Sequence, residues 1–489
     1  MKKLLKALGL VLLLLMGVLL VRALLFTPEE SVKVDLFSVV VNEAQITAHM
    51  VEAIRFKTVS TGDADTQDYV PFPKFVEWVA NTYPGIQQAM ELTMFGQYTM
   101  LYKWQGEQAS LKPVLLTAHY DVVPVVPGSE DNWQHPPFSG AIADGYVWGR
   151  GTLDDKSAVV VMLEAATQLI DEGFVPQRTI YFSFSHDEEV GGPNGAANVV
   201  RYFKSNNVQL AWSLDEGSFL SSDMLPGFDK PIASINVAEK GSLTLEIVAS
   251  SAGGHSSLPE AEVSVDILAQ ALVRLRQHPL PGEIEGIAAE MFETVAKEGS
   301  FSARFLMANK WLFGGMMNTQ LSKNSYSNAL IRTTTAPTML RAGIKSNVIP
   351  PTASATVNFR LHPRDTPESV LAHVVAAIDD DRVAVQLKND GMYTLASSVS
   401  SRSSEGYKAI AHVARQIFGD IIVVPGLTIA GTDSKHYLKV ADDSYRFQYM
   451  MLTKEDSAGF HGTNERISIE NLVQATRAYY LLMKQAMGE

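Results

Sequence analysis

Three short apolar runs in this chain each break, at the carboxyl end, into a histidine or an acid. Residues 114–118 run into His119, residues 179–185 into the acidic segment 187–189, and residues 210–214 into Asp215. Apolar runs this short read as buried strands. Helical spacing at 157–172 and 195–204 separates them. Strands alternating with helices imply a mainly parallel sheet with helices on both faces. In such an open sheet, ligands bind outside the carboxyl ends of the strands. The polar residues that end these runs are therefore expected to converge on one edge.

At 489 residues the chain exceeds what one ordinary core supports. The strand and helix rhythm changes near Glu239. Residues 243–250, 354–361 and 383–387 read as strands, and 263–276 and 367–378 as helices. The first pattern then returns, with a helix at 405–418, a strand at 421–424 and a last helix at 468–487. The expected fold is a doubly wound, mainly parallel α/β catalytic domain with a smaller α+β domain of ferredoxin-like type inserted in it. The expected boundaries are 30–238 and 393–489 for the first domain and 239–392 for the insert. Residues 46–57 and 73–90 are expected to be helical and 98–104 a strand. Residues 281–330, rich in Met, Phe and Leu, exceed what a minimal insert needs. They read as extra core or a dimer contact, or as an adaptable apolar wall for a lipid-like substrate.

Lys2, Lys3 and Lys6 precede the apolar run 7–21, which continues past Arg22 to Phe26. A span needs about 20 apolar residues. Residues 1–29 are thus expected to be an uncleaved transmembrane helix with its positive end cytoplasmic and the catalytic body outside; a cleaved signal peptide is the competing reading. The net charge of -13 argues against nucleic acid, whose phosphates demand Lys and Arg. The chain has no Cys, so disulfides, thiolate metal sites and Cys nucleophiles are excluded. Any zinc must be held by His and carboxylates, which favours a catalytic site.

Five motifs offer such donors: His119 and Asp121 in AHYDV, Asp154 in GRGTLDDKS, Glu188 and Glu189 in HDEEVGG, Asp215 in SLDEGS, and His461 in FHGTNER. Each alone fits a bland role; His119 and Asp121 alone would pass for a surface His beside a turn Asp. Asp121, two residues on, is placed to take the other imidazole N–H of His119. A carboxylate at Asp154, after a tight Gly-Arg-Gly turn, can bridge two cations. Adjacent like charges at Glu188 and Glu189 are costly without compensation, so one can face a cation and the other a water.

The ordered set, with KGSLTLEI, GHSS, RTTTAP and NVIPP, resembles the di-zinc aminoacylase and carboxypeptidase family of metallohydrolases. The likeness is strongest to the branch that holds carboxypeptidase S and the N-fatty-acyl-amino-acid hydrolases. By that resemblance, two zinc ions are held, one by His119 and Asp215 and the other by Glu189 and His461, with Asp154 between them. Cobalt or manganese would also suit such donors. The resemblance makes Glu188 the general base and Asp121 the residue that orients His119. It implies a cis peptide after Asp154. It assigns His255 of the inserted lid to the transition state, and Asn347, Arg360 and the loop Gly431, Thr432 and Asp433 to the substrate carboxylate. It also implies a homodimer formed through the lid.

The function expected is hydrolysis of the amide between an acyl or peptidyl group and a C-terminal amino acid, on a small substrate with a free carboxylate. A strict dipeptidase or peptide carboxypeptidase is the first alternative. An inactive metal-dependent binding protein is the second, and it leaves Glu188 and His255 without a purpose. A membrane-bound structural protein would leave all five motifs unexplained.

Overall fold

The protein is described from a computed structural model covering residues 2–28, 34–63, 65–222, 230–388 and 393–487. It divides into two compact units. The larger comprises Thr27–Val237, Thr294–Ser300 and Val399–Glu489. The smaller comprises Met1–Phe26, Ala238–Glu293 and Phe301–Ser398.

The larger unit is built on a mixed sheet whose centre is parallel. Strand Ile180–Ser185 pairs with Val114–His119, Val114–His119 with Leu210–Asp215, and Leu210–Asp215 with Ala441–Arg446, all in parallel. Thr99–Trp104 and Glu91–Phe95 extend one side as antiparallel strands. Val114–His119 and Ile180–Ser185 are buried at every position. This is the signature of strands covered on both faces, and it explains their lack of polar alternation. The register sets His119 opposite Ser185 and Asp215 opposite Arg446, so the strand ends carrying the candidate residues lie along one edge. Helix Lys156–Asp171 is almost wholly buried and packs against helix Ile469–Ala486. A small sheet pairs Arg466–Ser468 with Tyr146–Trp148, drawing the segment after His461 to the Gly-Arg-Gly turn.

The helix expected over 73–90 is two, Pro71–Thr82 and Pro84–Ala89. Pro84 has no N–H to continue the ladder, and its ring restricts Tyr83. Strands Ile232–Glu239 and Ala441–Arg446 were not foreseen. The second carries the polar run Ala-Asp-Asp-Ser, which reads as a turn.

The smaller unit holds an antiparallel sheet in the order Thr334–Arg341, Thr352–Leu361, Gly241–Ser250, Val383–Leu387. Helices Ser264–Gln277 and Pro367–Ile378 pack on it. Strand Gly241–Ser250 alternates buried and half-buried residues, as a sheet with one covered face requires. Leu243, Leu245, Ile247, Val357, Phe359, Val370 and Val374 share that core. Thr334–Arg341, which pairs Thr335 with Phe359, had not been anticipated as a strand. The Met- and Phe-rich segment forms helices Gly286–Glu298, Phe301–Ala308, Lys310–Leu321 and Ser325–Ile331. The N-terminal apolar run is one helix, Lys2–Leu25, and it belongs to this unit.

Candidate metal centre

Four of the expected residues, His119, Asp154, Glu189 and His461, meet at the strand-end edge of the larger unit. His119, 1% exposed, directs Nε2 to Asp154 Oδ1 at 2.9 Å. His461 directs its Nε2 to the other Asp154 oxygen, Oδ2, at 3.0 Å, and to Glu189 Oε2 at 3.4 Å. Asp154 thus presents one oxygen to each imidazole. Two groups of donors are close enough to hold an ion each: His119, Asp154 and Glu216, and Asp154, Glu189 and His461. Asp154 is common to both.

Glu216 was missed by the sequence reading, which chose its neighbour. Its Oε1 lies 3.5 Å from His119 Nε2. Asp215, by contrast, accepts hydrogen bonds on Oδ2 from the Ser434 amide at 2.8 Å and hydroxyl at 2.9 Å. It accepts the Glu216 amide on Oδ1. Asp215 thus ties down the loop at 434, while Glu216, its neighbour, is the acid grouped with His119 and Asp154. Asp215 ends strand Leu210–Asp215 and Glu216 lies in the bend after it, so the two acids leave the chain in different directions. The signal in Asp-Glu-Gly was a choice between two carboxylates, and spacing alone does not make it.

Asp121 is fully buried and serves two partners. Its carboxylate accepts the amides of Glu188 and Glu189, at 3.1 and 3.2 Å, and so holds the acidic pair in place. His119 Nδ1 sits 3.0 Å from the Asp121 carbonyl oxygen and 3.4 Å from its carboxylate. The imidazole is thus oriented first by main chain, where a carboxylate partner had been expected. With Nδ1–H donated to that carbonyl, Nε2 is left as the ligating atom.

The segment before this cluster is held by Glu465. Its Oε1 accepts the amides of Gly151 and Leu153 at 3.0 and 2.8 Å, and its Oε2 pairs with the Arg150 guanidinium. All of this is buried. The peptide between Asp154 and Asp155 is cis, as the family resemblance implied. Asp155 accepts the His119 amide and the Gln448 side chain. After the acidic pair, Gly192 has φ +69°, and a Cβ there would fall 2.2 Å from Asp433 Oδ1. A side chain at that position would displace the Asp433 carboxyl.

That loop was expected to hold the substrate carboxylate. Gly431 is exposed, while Thr432 and Asp433 are buried. Asp433 accepts the Ser185 hydroxyl, and burial pushes its carboxyl up to about 7. His186, near the acidic pair, instead bonds Thr99 through Nδ1 at 2.6 Å.

Electrostatically the cluster calls for cations. Burial pushes Glu188 well above the usual carboxyl range and Glu216 up to about 8. Hydrogen bonds donated to the Asp154 and Glu189 carboxylates hold His461 up to about 10. Burial pulls the His119 pKa down, but Asp121, Asp154 and Glu216 outweigh it and hold it well above normal. Carboxylates and imidazoles gathered this tightly must retain protons or bind cations. Glu189 Oε1 is buried with no hydrogen-bond partner, and an orphaned carboxylate oxygen suits a hard cation. Two imidazoles with oxygen donors and no thiolate suit zinc or a similar divalent ion.

His255, Asn347 and Arg360 belong to the smaller unit. His255 pairs with Val348 in a two-stranded ladder, and the Ser256 amide donates to the Asn347 carbonyl at 3.2 Å. Both side chains are exposed. His255 Nδ1 accepts the Ser257 amide at 3.1 Å, so its proton sits on Nε2, which is free to donate. Arg360 is exposed on strand Thr352–Leu361.

A family model described as "Peptidase family M20/M25/M40" matches residues 115–485. The chain is 40% identical over 447 residues to a protein named probable carboxypeptidase S-like 2 from Dictyostelium discoideum, covering 91% of this chain and 85% of that one. It is 38% identical over 445 residues to the N-fatty-acyl-amino acid synthase/hydrolase PM20D1 of Xenopus tropicalis, covering 90% and 86%. Among solved structures, the M20 family metallo-carboxypeptidase Sso-CP2 from Sulfolobus solfataricus superposes with a TM-score of 0.64 at 18% identity, over 90% of this chain and 99% of that one. Human carnosine dipeptidase 1 gives 0.62 at 15% identity, over 91% and 96%. These two likenesses speak for the fold.

Proposed function

Since the chain belongs to peptidase family M20/M25/M40, a family of metallo-type hydrolases, we propose that it is a two-zinc amidohydrolase. Its reaction would cleave the amide between an acyl or peptidyl group and a C-terminal amino acid. The observation that carries this reading is Asp154, which offers one oxygen beside each of two histidines. In this proposal His119 and Glu216 hold one ion, Glu189 and His461 the other, and Asp154 lies between. Bound there, the ion pair would polarise the scissile carbonyl and lower the pKa of an attacking water.

The remaining chemistry falls to the chain's own groups. Glu188 takes the proton of the attacking water and returns it to the leaving nitrogen. Asp121 keeps Glu188 and Glu189 in register through their amides. His255, protonated on Nε2, is the oxyanion donor. Asn347 and Arg360 hold the substrate carboxylate, Arg360 through its two-pronged guanidinium. An N-acyl-amino-acid substrate is favoured by the likeness to the N-fatty-acyl-amino acid synthase/hydrolase; a peptide carboxypeptidase is the second reading, favoured by the carboxypeptidase S-like relative. In this reading the catalytic body lies outside the cytoplasm; the lysines at the N-terminal end of the apolar helix support that orientation.

The deciding experiment is turnover of N-acetyl-, N-decanoyl- and N-oleoyl-amino acids and Gly-X dipeptides by the zinc-loaded full chain, beside Glu188→Ala. Glu188-dependent hydrolysis that rises with acyl length is the expected result. Hydrolysis of dipeptides alone would move the assignment to a peptidase. Two bound metals with no turnover of any substrate would sink the hydrolase reading. Glu188→Ala should lose ~10²–10⁴-fold in kcat, the usual worth of a general base, while keeping its metal.

A further inference from the structure

We propose that helices Phe301–Ala308 and Lys310–Leu321 form a surface seated in the lipid bilayer, docked on a helix Lys2–Leu25 that stays in the mature protein. The N-terminal helix has 24 residues, about 36 Å at the rise of an α-helix, enough to cross a hydrocarbon core of ~30 Å. Its leucines and valines are exposed along nearly all its length; only Leu19 and Ala23, four residues apart on one face, are buried. The helix that meets it is Phe301–Ala308.

The junction is polar as well as apolar. Asn309, fully buried, donates from Nδ2 to the Leu19 carbonyl at 3.0 Å and to the Phe305 carbonyl at 2.9 Å. Arg22 Nε donates to the Ala308 carbonyl at 3.0 Å. A buried amide needs its partner, and removing the N-terminal helix would take one away and uncover Met307, Ala308 and Asn309. A leader destined for cleavage needs no such seat. Arg22 sits near the end of the span, where a guanidinium reaches the interface. The junction is thereby fixed at the level where hydrocarbon gives way to headgroups.

Helix Lys310–Leu321 starts at that junction. None of its residues is buried, although it reads KWLFGGMMNTQL. Trp311, Leu312 and Met316 are 58%, 46% and 56% exposed, and Phe301 on the preceding helix is 43% exposed. Other side chains tie the pair to the protein: Lys310 pairs with Glu293 at 2.6 Å and Asn318 donates to the Gly282 carbonyl at 2.6 Å. An apolar face held in place and left uncovered marks a contact surface. Its neighbour is a helix long and apolar enough to cross a membrane and 6% buried over its apolar window, so lipid is taken as the phase against the patch. Trp is the residue expected at that depth, and a helix lying in the interface presents this kind of face to acyl chains.

The test uses the full chain reconstituted in phosphatidylcholine vesicles, some of whose acyl chains carry bromine, which quenches indole on contact. Of the six tryptophans, Trp104, Trp133, Trp148 and Trp212 are buried and Trp78 half-buried, leaving Trp311 to report. Quenching by brominated lipid that is lost in Trp311→Phe is the expected result. Equal quenching in both proteins, or none in the wild type, would overturn the proposal. The intact mass of protein isolated from its own membrane is the second readout: residues 2–25 present supports it, and their removal refutes it. Neither measurement depends on catalysis.

Discussion

Asp215 and Glu216 are adjacent acids with different partners, and the difference is read from one hydroxyl. Ser434 occupies Asp215 Oδ2 from two directions, so Glu216 is the acid left to face His119. Glu216→Ala is therefore expected to lose one of two bound metals and most activity. Asp215→Asn, which still offers an oxygen to Ser434, is expected to keep both metals. Metal content by elemental analysis separates the two, and the reverse pattern would restore Asp215 as the ligand. At this scale the sequence exposed residue types and their order: His119 and Glu189 follow strands as expected, and Asp154 and His461 join them from turns. It could not tell which of two neighbouring carboxylates turns inward, nor that the Asp121 carboxylate spends its hydrogen bonds on the Glu188 and Glu189 amides.

Elements bring together what no local pattern links. Residues 466–468 pair with 146–148, and this carries Glu465 to the amides of Gly151 and Leu153 and to Arg150. In sequence, the Glu-Arg of TNER reads as surface charge; 315 positions separate Glu465 from Arg150. Breaking a buried pair by deleting one partner leaves an uncompensated charge and costs about 3–5 kcal/mol. Glu465→Ala should lower stability to denaturant by that order and loosen metal binding through Asp154. Glu465→Gln, which keeps an acceptor for the amides, should lose less. Equal stability of wild type and Glu465→Ala in urea titration would show that the turn stands without its anchor. The apolar strands at 114–119 and 180–185 were legible because burial on both faces leaves a continuous apolar run. Ala441–Arg446 was not, because its acids at 442 and 443 are exposed and half-buried between the buried Ala441 and Ser444 and break the apolar run.

At the scale of the molecule, each unit carries a consequence of its own burial. Lys240, 2% exposed, donates to the carbonyls of Ala329 and Arg332 at 3.0 and 2.8 Å. Burial, with Arg360 and Arg364 adding repulsion, pulls its pKa from 10.5 to about 7. Between those values the unfolded chain binds the proton that the folded chain has released. Stability therefore gains from this residue as pH rises from 7 toward 10.5, by up to about 1.4 kcal/mol per unit; below pH 7 the cost of a buried charge is fully present. The stability difference between wild type and Lys240→Met should move in favour of the wild type from pH 7 to pH 9, read by urea unfolding. A constant difference would mean that Lys240 keeps its proton. Taken alone, the amino-acid order determined the alternation of strands and helices, the change of rhythm near residue 239, the apolar N-terminal helix and the types of donor at the site. Those depend on local periodicity and on where an apolar run must stop. Only the tertiary structure decided that Glu216 faces the cluster, that Glu465 braces the turn before Asp154, and that the N-terminal helix rests on Ala308 and Asn309. Each of these joins residues whose proximity is set by packing, and packing leaves no periodic trace in the chain.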